Sequence, residues 1–335
     1  MYRIAIAHSL ASVDGVDVVA KVADGQQALK AITQHTPDVM ILDLEMPVMS
    51  GLETLTQLVA GGWTGKHPQI IIFSSHNPEG AEITMKALNK GAVDFIPKPK
   101  SNEGMAHIET VLVPKLLALA NNLSKVHLAA RKPHVATDDN TPRAILAIAS
   151  STGGPNALKA AFQPFPADFP IPIMVVQHMP PVFTASMANH LNNRLALTVV
   201  EAKSGIRPAA GTVYIAPGDF HMTLTCGIGY PVIRLHQKPA VGGLRPFANT
   251  LFTGLAQGFG AKVLAAVFTG MGEDGADGCK SLADQGAAIL TQTPESCVVA
   301  SMPNATNDLV KNYSDFSPET FYKTVSQFNL TGRLG

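Results

Sequence analysis

In the latter part of the chain, a serine, a histidine and an aspartate each stand just past a different short apolar run. Ala144–Ala149 ends abruptly in Ser150-Ser151-Thr152-Gly153-Gly154-Pro155 and gives way to the helix-compatible stretch Asn156–Phe162. A serine at such a strand-to-helix turn presents its hydroxyl at the C-terminal edge of a parallel sheet, where α/β folds place their ligands. The helix start offers free N–H groups to a developing oxyanion, and Ser151 sits farther into the turn than Ser150. His178 follows the run Ile171–Val176 in Gln177-His178-Met179-Pro180-Pro181, and imidazole is suited to take a serine proton near neutral pH and return it to a leaving alcohol. Asp274 lies in Thr269-Gly270-Met271-Gly272-Glu273-Asp274-Gly275, after the run Val263–Thr269. A carboxylate there can hold the histidine in its productive tautomer, and amides of the Gly270–Gly272 turn, Met271 included, can face an oxyanion.

Taken singly, each feature has a plainer reading. Serine in a Gly-rich turn can cap the helix or line a phosphate cradle. His178 can be a loop histidine, and the 269–275 segment a polar turn or a carboxylate metal site. Three such residues past three strands of one expected sheet point to a shared site. Their order, with no GxSxG elbow, does not indicate the α/β-hydrolases. A nucleotide-binding reading of Ser151–Gly154 needs an acidic ribose ligand about 20 residues on, for which Asp168 is the available residue.

Short β-branched runs alternating with amphipathic stretches must position these residues, a pattern of βα units around mostly parallel sheets. In the first third, Arg3–Ala7, Asp17–Val22, Val39–Leu42, Ile70–Phe73 and Val93–Ile96 read as strands, and Gly25–Gln34, Gly51–Ala60 and Gly80–Lys90 as helices. An apolar helix over Met105–Ala120 then runs into the polar tract Lys132–Pro142, which reads as a linker. Beyond it, Ala144–Ala149, Ile171–Val176, Thr212–Ile215, Ile228–His236, Val263–Thr269 and Ala287–Thr291 read as strands of a second domain. The division expected is residues 1–100, a linker over 101–142 and a catalytic domain over 143–330. A chain of 335 residues, 46% apolar and 15% charged, can bury two such cores.

Lys plus Arg and Asp plus Glu balance at 25 each, which gives no electrostatic footprint for nucleic acid or an anionic membrane. Cys226, Cys279 and Cys297 are too few and too far apart for a disulfide framework or a CxxC metal site. No apolar run reaches the ~18 residues of a membrane span, and the start lacks a signal-peptide pattern, so the expected address is the cytoplasm.

Five blocks in order carry a family resemblance: Ala149–Gly154, Gln177–Pro180, Tyr214–Asp219, Thr269–Gly275 and Glu295–Val299. In them the chain resembles the chemotaxis protein-glutamate methylesterases, the CheB family. The resemblance implies Ser151 as nucleophile, His178 as base and Asp274 as orienting carboxylate, acting without a cofactor. It implies as substrate methylated glutamates, and often deamidable glutamines, on the cytoplasmic domain of chemoreceptors. Thr152 stands to orient Ser151 or line the oxyanion site, and His221 and Arg245 to shape the groove for a receptor helix.

Ile41–Gly51, Phe73-Ser74-Ser75 and Ile96-Pro97-Lys98-Pro99 resemble the response-regulator receiver domain, which implies Asp43 as phosphoacceptor, Ser74 as switch hydroxyl and Lys98 as phosphate-contacting cation. A CheA-type histidine kinase is then a partner. The implied fold is two doubly wound parallel α/β domains, a truncated flavodoxin-like receiver and a Rossmann-like catalytic domain. Receivers carry an acidic pair after their first strand to hold Mg2+, whereas this chain has His8-Ser9 there, and only some ten residues lead to the second expected strand. Asp43 is thereby left with a weak or absent Mg2+ site unless Asp14 or Asp17 substitutes. The rival to an enzyme is a regulatory or scaffold homologue that keeps the groove without turnover.

Overall fold

The computed structural model describes residues 2–61, 68–99, 104–125, 141, 143–225 and 230–331, with backbone alone at 104–108 and 121–125. The chain divides into two compact units, Met1–His127 and Leu128–Gly335. Cys226 and most of the polar tract, residues 132–140 and 142, lie outside the described residues, whereas 104–125 of the expected linker are helical.

In the first unit, helices α1 (Tyr2–Leu10) and α2 (Gly25–His35) precede β1 (Val39–Asp43), α3 (Gly51–Ala60), β2 (Gln69–Ser74), α4 (Pro78–Asn89), β3 (Asp94–Pro97) and α5 (Gly104–Lys125). The strands form a parallel sheet of order β1-β2-β3. Two of the expected strands are therefore corrected: Arg3–Ala7 is helical, and Asp17–Val22 is neither helix nor strand. The physical reason is the connection between them, about ten residues, which is too short for a crossover joining parallel neighbours. Without a strand partner the first segment satisfies its backbone internally as α1. It buries Ile6, Ala7, Ser9 and Leu10, places the Tyr2 ring edge-on to Phe73 at 5.3 Å and packs on α5. Ile71 and Ile72 point to opposite faces of β2 and both are fully buried, so this small sheet is covered on both sides. The helix starts are locally coded: Asp24 caps α2, Ser50 and Glu53 form a capping box on α3, and Asn77 caps α4 before Pro78.

The second unit runs β4 (Ile145–Ser150), α6 (Gly154–Phe162), β5 (Ile173–Gln177), α7 (Phe183–Asn192), β6 (Thr198–Glu201), β7 (Thr212–Ile215), β8 (His221–Leu224), β9 (Ile233–His236), α8 (Ala248–Gly258), β10 (Val263–Val267), α9 (Ala276–Asp284), β11 (Ala288–Gln292), α10 (Ser301–Leu309), β12 (Ser314–Phe316) and α11 (Phe321–Val325). Its seven-stranded sheet has the order β12-β11-β10-β4-β5-β7-β6 and is parallel throughout. From β4 the chain adds strands toward β6, then returns to build the other half outward from β10. The reversal places a topological switch point between β4 and β10, where doubly wound sheets open a crevice at their C-terminal edge. The expected strand Ile228–His236 is confined to β9 among described residues and pairs with β8 as an antiparallel hairpin outside the main sheet.

All of β4 and β10 is buried, which fits unbroken apolar runs in a sheet covered on both faces. Below one layer, Phe268 packs its ring against Phe316 at 4.7 Å and Phe321 at 4.9 Å. Replacing the fully buried Phe268 with Ala is expected to cost about 3–5 kcal/mol in denaturant unfolding of this unit. A loss under about 1 kcal/mol would show that the aromatic cluster does not hold the β10–β12 half of the sheet.

Candidate active site

Three adjacent strands of the second unit, β5, β4 and β10, end side by side, and the next residues carry the site. Ser151 directly follows β4. Its amide donates to Thr269 O at 3.0 Å and its carbonyl accepts from Gly154 N at 2.8 Å. A third anchor comes from Gln177, whose Nε2 donates to Ser151 O at 2.9 Å while its Oε1 accepts from Ser150 Oγ at 2.7 Å. Gln177 was not singled out from the sequence, although its place at the end of an apolar strand beside a candidate histidine was the available signal. It explains a glycine: a Cβ at Gly154 would lie 2.0 Å from Gln177 Oε1. Gly153, at φ +79°, supplies the left-handed turn that starts α6.

His178 Nε2 is 2.7 Å from Asp274 Oδ2, and the two side chains are 7% and 3% exposed. A carboxylate only accepts, so Nε2 is the protonated nitrogen and Nδ1 is left to face a substrate or nucleophile. Asp274 also accepts from the first amides of α8, Ala248 N at 2.6 Å on Oδ2 and Asn249 N at 2.9 Å on Oδ1. The buried carboxylate thus has donors on both oxygens at a helix N-terminus, whose dipole favours negative charge. Asn249 answers with its side chain, accepting from Gly275 N at 3.1 Å and Gly278 N at 2.7 Å at the start of α9. The two helices cap each other through the residues that hold Asp274. Nothing in the sequence flagged Asn249, because its role depends on a contact 26 residues away.

The structure brings Ser151, His178 and Asp274 to one edge of the sheet, with no hydrogen bond between Ser151 Oγ and His178 among the described residues. Thr152, 1% exposed, has a buried hydroxyl without a partner. In the Gly270–Gly272 turn, Gly270 N donates to Val299 O at 2.9 Å and Gly272 N to Ser301 Oγ at 3.1 Å. Among the described residues, only the Met271 amide of that turn is without an acceptor. Arg245 is not a free cation: it pairs with Asp219, and its Nη1 donates to Gln237 O at 3.3 Å and Lys238 O at 3.1 Å. His221 is buried on β8 beside His236, ring centroids 5.3 Å apart, with Nε2 donating to Pro239 O. Arg245 and His221 therefore brace the hairpin and the loop after it. Asp168 is exposed ahead of β5, on the sheet edge opposite Ser151, so the phosphate-cradle reading lacks its ribose ligand.

In the first unit, Asp43 closes β1 and Lys98 follows β3. Lys98 Nζ bridges Asp43 Oδ1 at 2.9 Å and Glu45 Oε2 at 2.8 Å, and Ser75 Oγ donates to Glu45 Oε2 at 2.6 Å. Ser74 is directed elsewhere, its Oγ donating to Gly80 O at 3.1 Å and accepting from Thr84 at 2.7 Å. Burial, the strongest single influence on Lys98, acts to lower its pKa, but the hydrogen bonds and charges of Glu45 and Asp43 together hold it above the ordinary value. Glu45 is held below the usual carboxylate range by its bonds from Lys98 and Ser75. A magnesium ion wants several hard oxygen ligands in near-octahedral array. The two carboxylates at the end of β1 already share one ammonium, and Ser9 lies in α1 with its hydroxyl on Glu109 at 3.2 Å. Asp14 and Asp17 are exposed, and among the described residues no three His, Cys, Asp or Glu side chains are grouped to hold a metal. No described helix is long and apolar enough to cross a membrane.

A family model described as CheB methylesterase matches residues 146–318, and one described as response regulator receiver domain matches residues 1–109. A protein-glutamate methylesterase/protein-glutamine glutaminase of Pyrococcus horikoshii is 35% identical over 334 residues, covering 96% of this chain and 89% of that protein. One of Caulobacter vibrioides is 40% identical over 299 residues, covering 87% and 85%. Among solved structures, the CheB methylesterase catalytic domain of Thermotoga maritima is similar with a TM-score of 0.53 and 35% identity, over 55% of this chain and 98% of that one.

The Lys98 bridge makes a titration prediction. A depressed folded pKa for Glu45 contributes stability that is present above its unfolded value of about 4.3 and lost as pH falls through the folded one; the raised Lys98 contributes below its unfolded value of about 10.4 and is lost at higher pH. Carbon NMR is expected to find Glu45 titrating below the ordinary glutamate range in the wild type and moving up toward it in Lys98→Met. The same inflection in both proteins would show that the bridge is not formed in solution.

Proposed function

The chain belongs to the chemotaxis CheB methylesterase family, with a response-regulator receiver domain ahead of the esterase domain, and from that premise we propose that it demethylates receptor glutamates by a Ser151–His178–Asp274 mechanism. The observation that carries the reading is the buried His178–Asp274 hydrogen bond beside the nucleophile turn. In the proposed reaction His178 Nδ1 takes the Ser151 proton as Oγ attacks the ester carbonyl. The tetrahedral oxyanion is met by the Met271 amide and the buried Thr152 hydroxyl. As the intermediate collapses, the C–O bond to the methoxy group breaks and His178 returns the proton to release methanol. Water then adds to the acyl-serine with the same base, freeing the glutamate and Ser151. Carbonyl attack on a glutamine amide needs the same groups, with ammonia as leaving group, which makes deamidation a companion activity. In an apo site the serine–histidine contact is commonly loose and closes with substrate.

The proposed substrate is the cytoplasmic domain of methyl-accepting chemoreceptors, with a CheA-type histidine kinase as the upstream partner of the first unit and the cytoplasm as the site of action. The balanced charge of the chain supports recognition of a protein surface over nucleic acid. A scaffold without turnover is the weaker reading, because a binding surface has no need of a buried imidazole held by a doubly capped carboxylate.

Methanol release from a methylated receptor fragment is expected to fall at least about a thousandfold in Ser151→Ala with the fold intact. Asp274→Asn is expected to keep receptor binding while turnover drops ~10²–10⁴-fold, since the imidazole loses its tautomer control. Near-wild-type turnover in Ser151→Ala, or weakened binding at full turnover in Asp274→Asn, would refute these assignments.

The family role of Asp43 is to accept a phosphoryl group, a transfer that brings anions together and is normally neutralised by a metal. With the local carboxylates engaged by Lys98, the esterase is expected to respond little to a small-molecule phosphodonor with Mg2+, and Asp43→Ala to behave like wild type. A severalfold, Mg2+-dependent rise that Asp43→Ala abolishes would contradict this.

A further inference from the structure

We propose that Ser301 is a positioning residue for the ester hydrolysis, acting through the peptide that presents the Met271 N–H to the oxyanion. The inference rests on the Ser151 mechanism and adds to it a residue at the start of α10, far in sequence from the three central groups.

The peptide unit joining Gly270 and Met271 is planar and trans, so its carbonyl and its N–H point in opposite directions. Fixing the carbonyl therefore aims the amide. Gly270 O accepts from Ser301 Oγ at 3.0 Å and from Met302 N at 3.1 Å. The same Ser301 hydroxyl accepts from Gly272 N at 3.1 Å. One side chain thus spans the turn and ties both residues flanking Met271 to the first turn of α10. The tie matters because those residues are glycines, and Gly272 sits at φ +96°, so the backbone has little stiffness of its own. The turn also abuts the nucleophile: a Cβ at Gly270 would fall 2.8 Å from Ser151 Cβ, and Ser151 N is bonded to the preceding residue, Thr269. A rotation of the Gly270–Met271 peptide would swing the free amide away from the carbon that Ser151 attacks.

Removing an oxyanion donor outright costs about 10²–10³ in kcat. Ser301→Ala leaves the donor in place and removes one of two anchors on its peptide, so the expected loss is smaller, on the order of 5–30-fold in kcat with KM within about twofold. Ser301→Thr keeps the hydroxyl and is expected to restore kcat to within about twofold of wild type. The experiment uses the full chain and a methyl-esterified receptor cytoplasmic fragment, with methanol release as readout. An organophosphonofluoridate serves as second probe: its endpoint counts competent sites, and its rate reports stabilisation of a tetrahedral oxyanion at phosphorus. Parallel falls in kcat per site and in inactivation rate for Ser301→Ala, both recovered in Ser301→Thr, would establish the role. An unchanged kcat per site, a rise in KM alone, or an equal loss in Ser301→Thr would overturn it. Ser151→Ala in the same assay separates the two readings: retained turnover there refutes the nucleophile, whereas its loss beside an unaffected Ser301→Ala refutes only the positioning role.

Discussion

The hydrogen bond from His178 to Asp274 is the contact on which the rest of the site depends. A carboxylate that is 3% exposed cannot be left without donors, because the cost of burying it unpaired is several kcal/mol. Here the donors are the first two amides of α8 and the imidazole. The group is therefore built into the packing of α8 against α9, and the histidine inherits its orientation from that packing. Asn249 closes the arrangement from the other side by capping α9. Chemistry at the sheet edge and stability of the helical layer share the same few hydrogen bonds.

The sheet supplies the convergence. Because β4 starts one half of the sheet and β10 the other, Ser151 and the 269–275 segment emerge next to each other at the switch point, and β5 places His178 on the far side of Ser151. Fully buried strands fix the height of each loop, since a register slip would drive apolar residues into mismatched neighbours. Gly154 and Gly270 then permit approaches that a side chain would block, one to Gln177 and one to Ser151.

Much of this was legible in the sequence where a local signal existed. Apolar runs bounded by Gly, Pro and Ser marked β4, β5, β7, β10 and β11. Asp43 and Lys98 meet as their places after two strands of one sheet suggested, and the Met105–Ala120 helix is contained in α5. The misreadings came where the outcome is tertiary. Arg3–Ala7 has strand-like residues, yet without a neighbour to pair with it becomes a helix against α5. The strands β6 and β12 lie at the edges of the sheet and β8 only in the hairpin with β9, so none of them shows the unbroken apolar run of a central strand. Gln177, Asn249 and the inward turn of Ser74 toward Thr84 depend on partners that no local pattern announces. The pairing of Arg245 with Asp219, 26 residues away in sequence, is of the same kind.

Catalysis by this site requires that Asp274 fix His178 as its Nε2-protonated tautomer, leaving Nδ1 as the base. Nitrogen NMR of histidine-labelled full-length protein, with His178 assigned from His178→Gln, tests this directly at a pH where the imidazole is neutral. The expected result is a protonated Nε2 and a bare Nδ1 for His178, with that preference lost in Asp274→Asn. A bare Nε2 in the wild type, or a tautomer indifferent to Asp274→Asn, would contradict it.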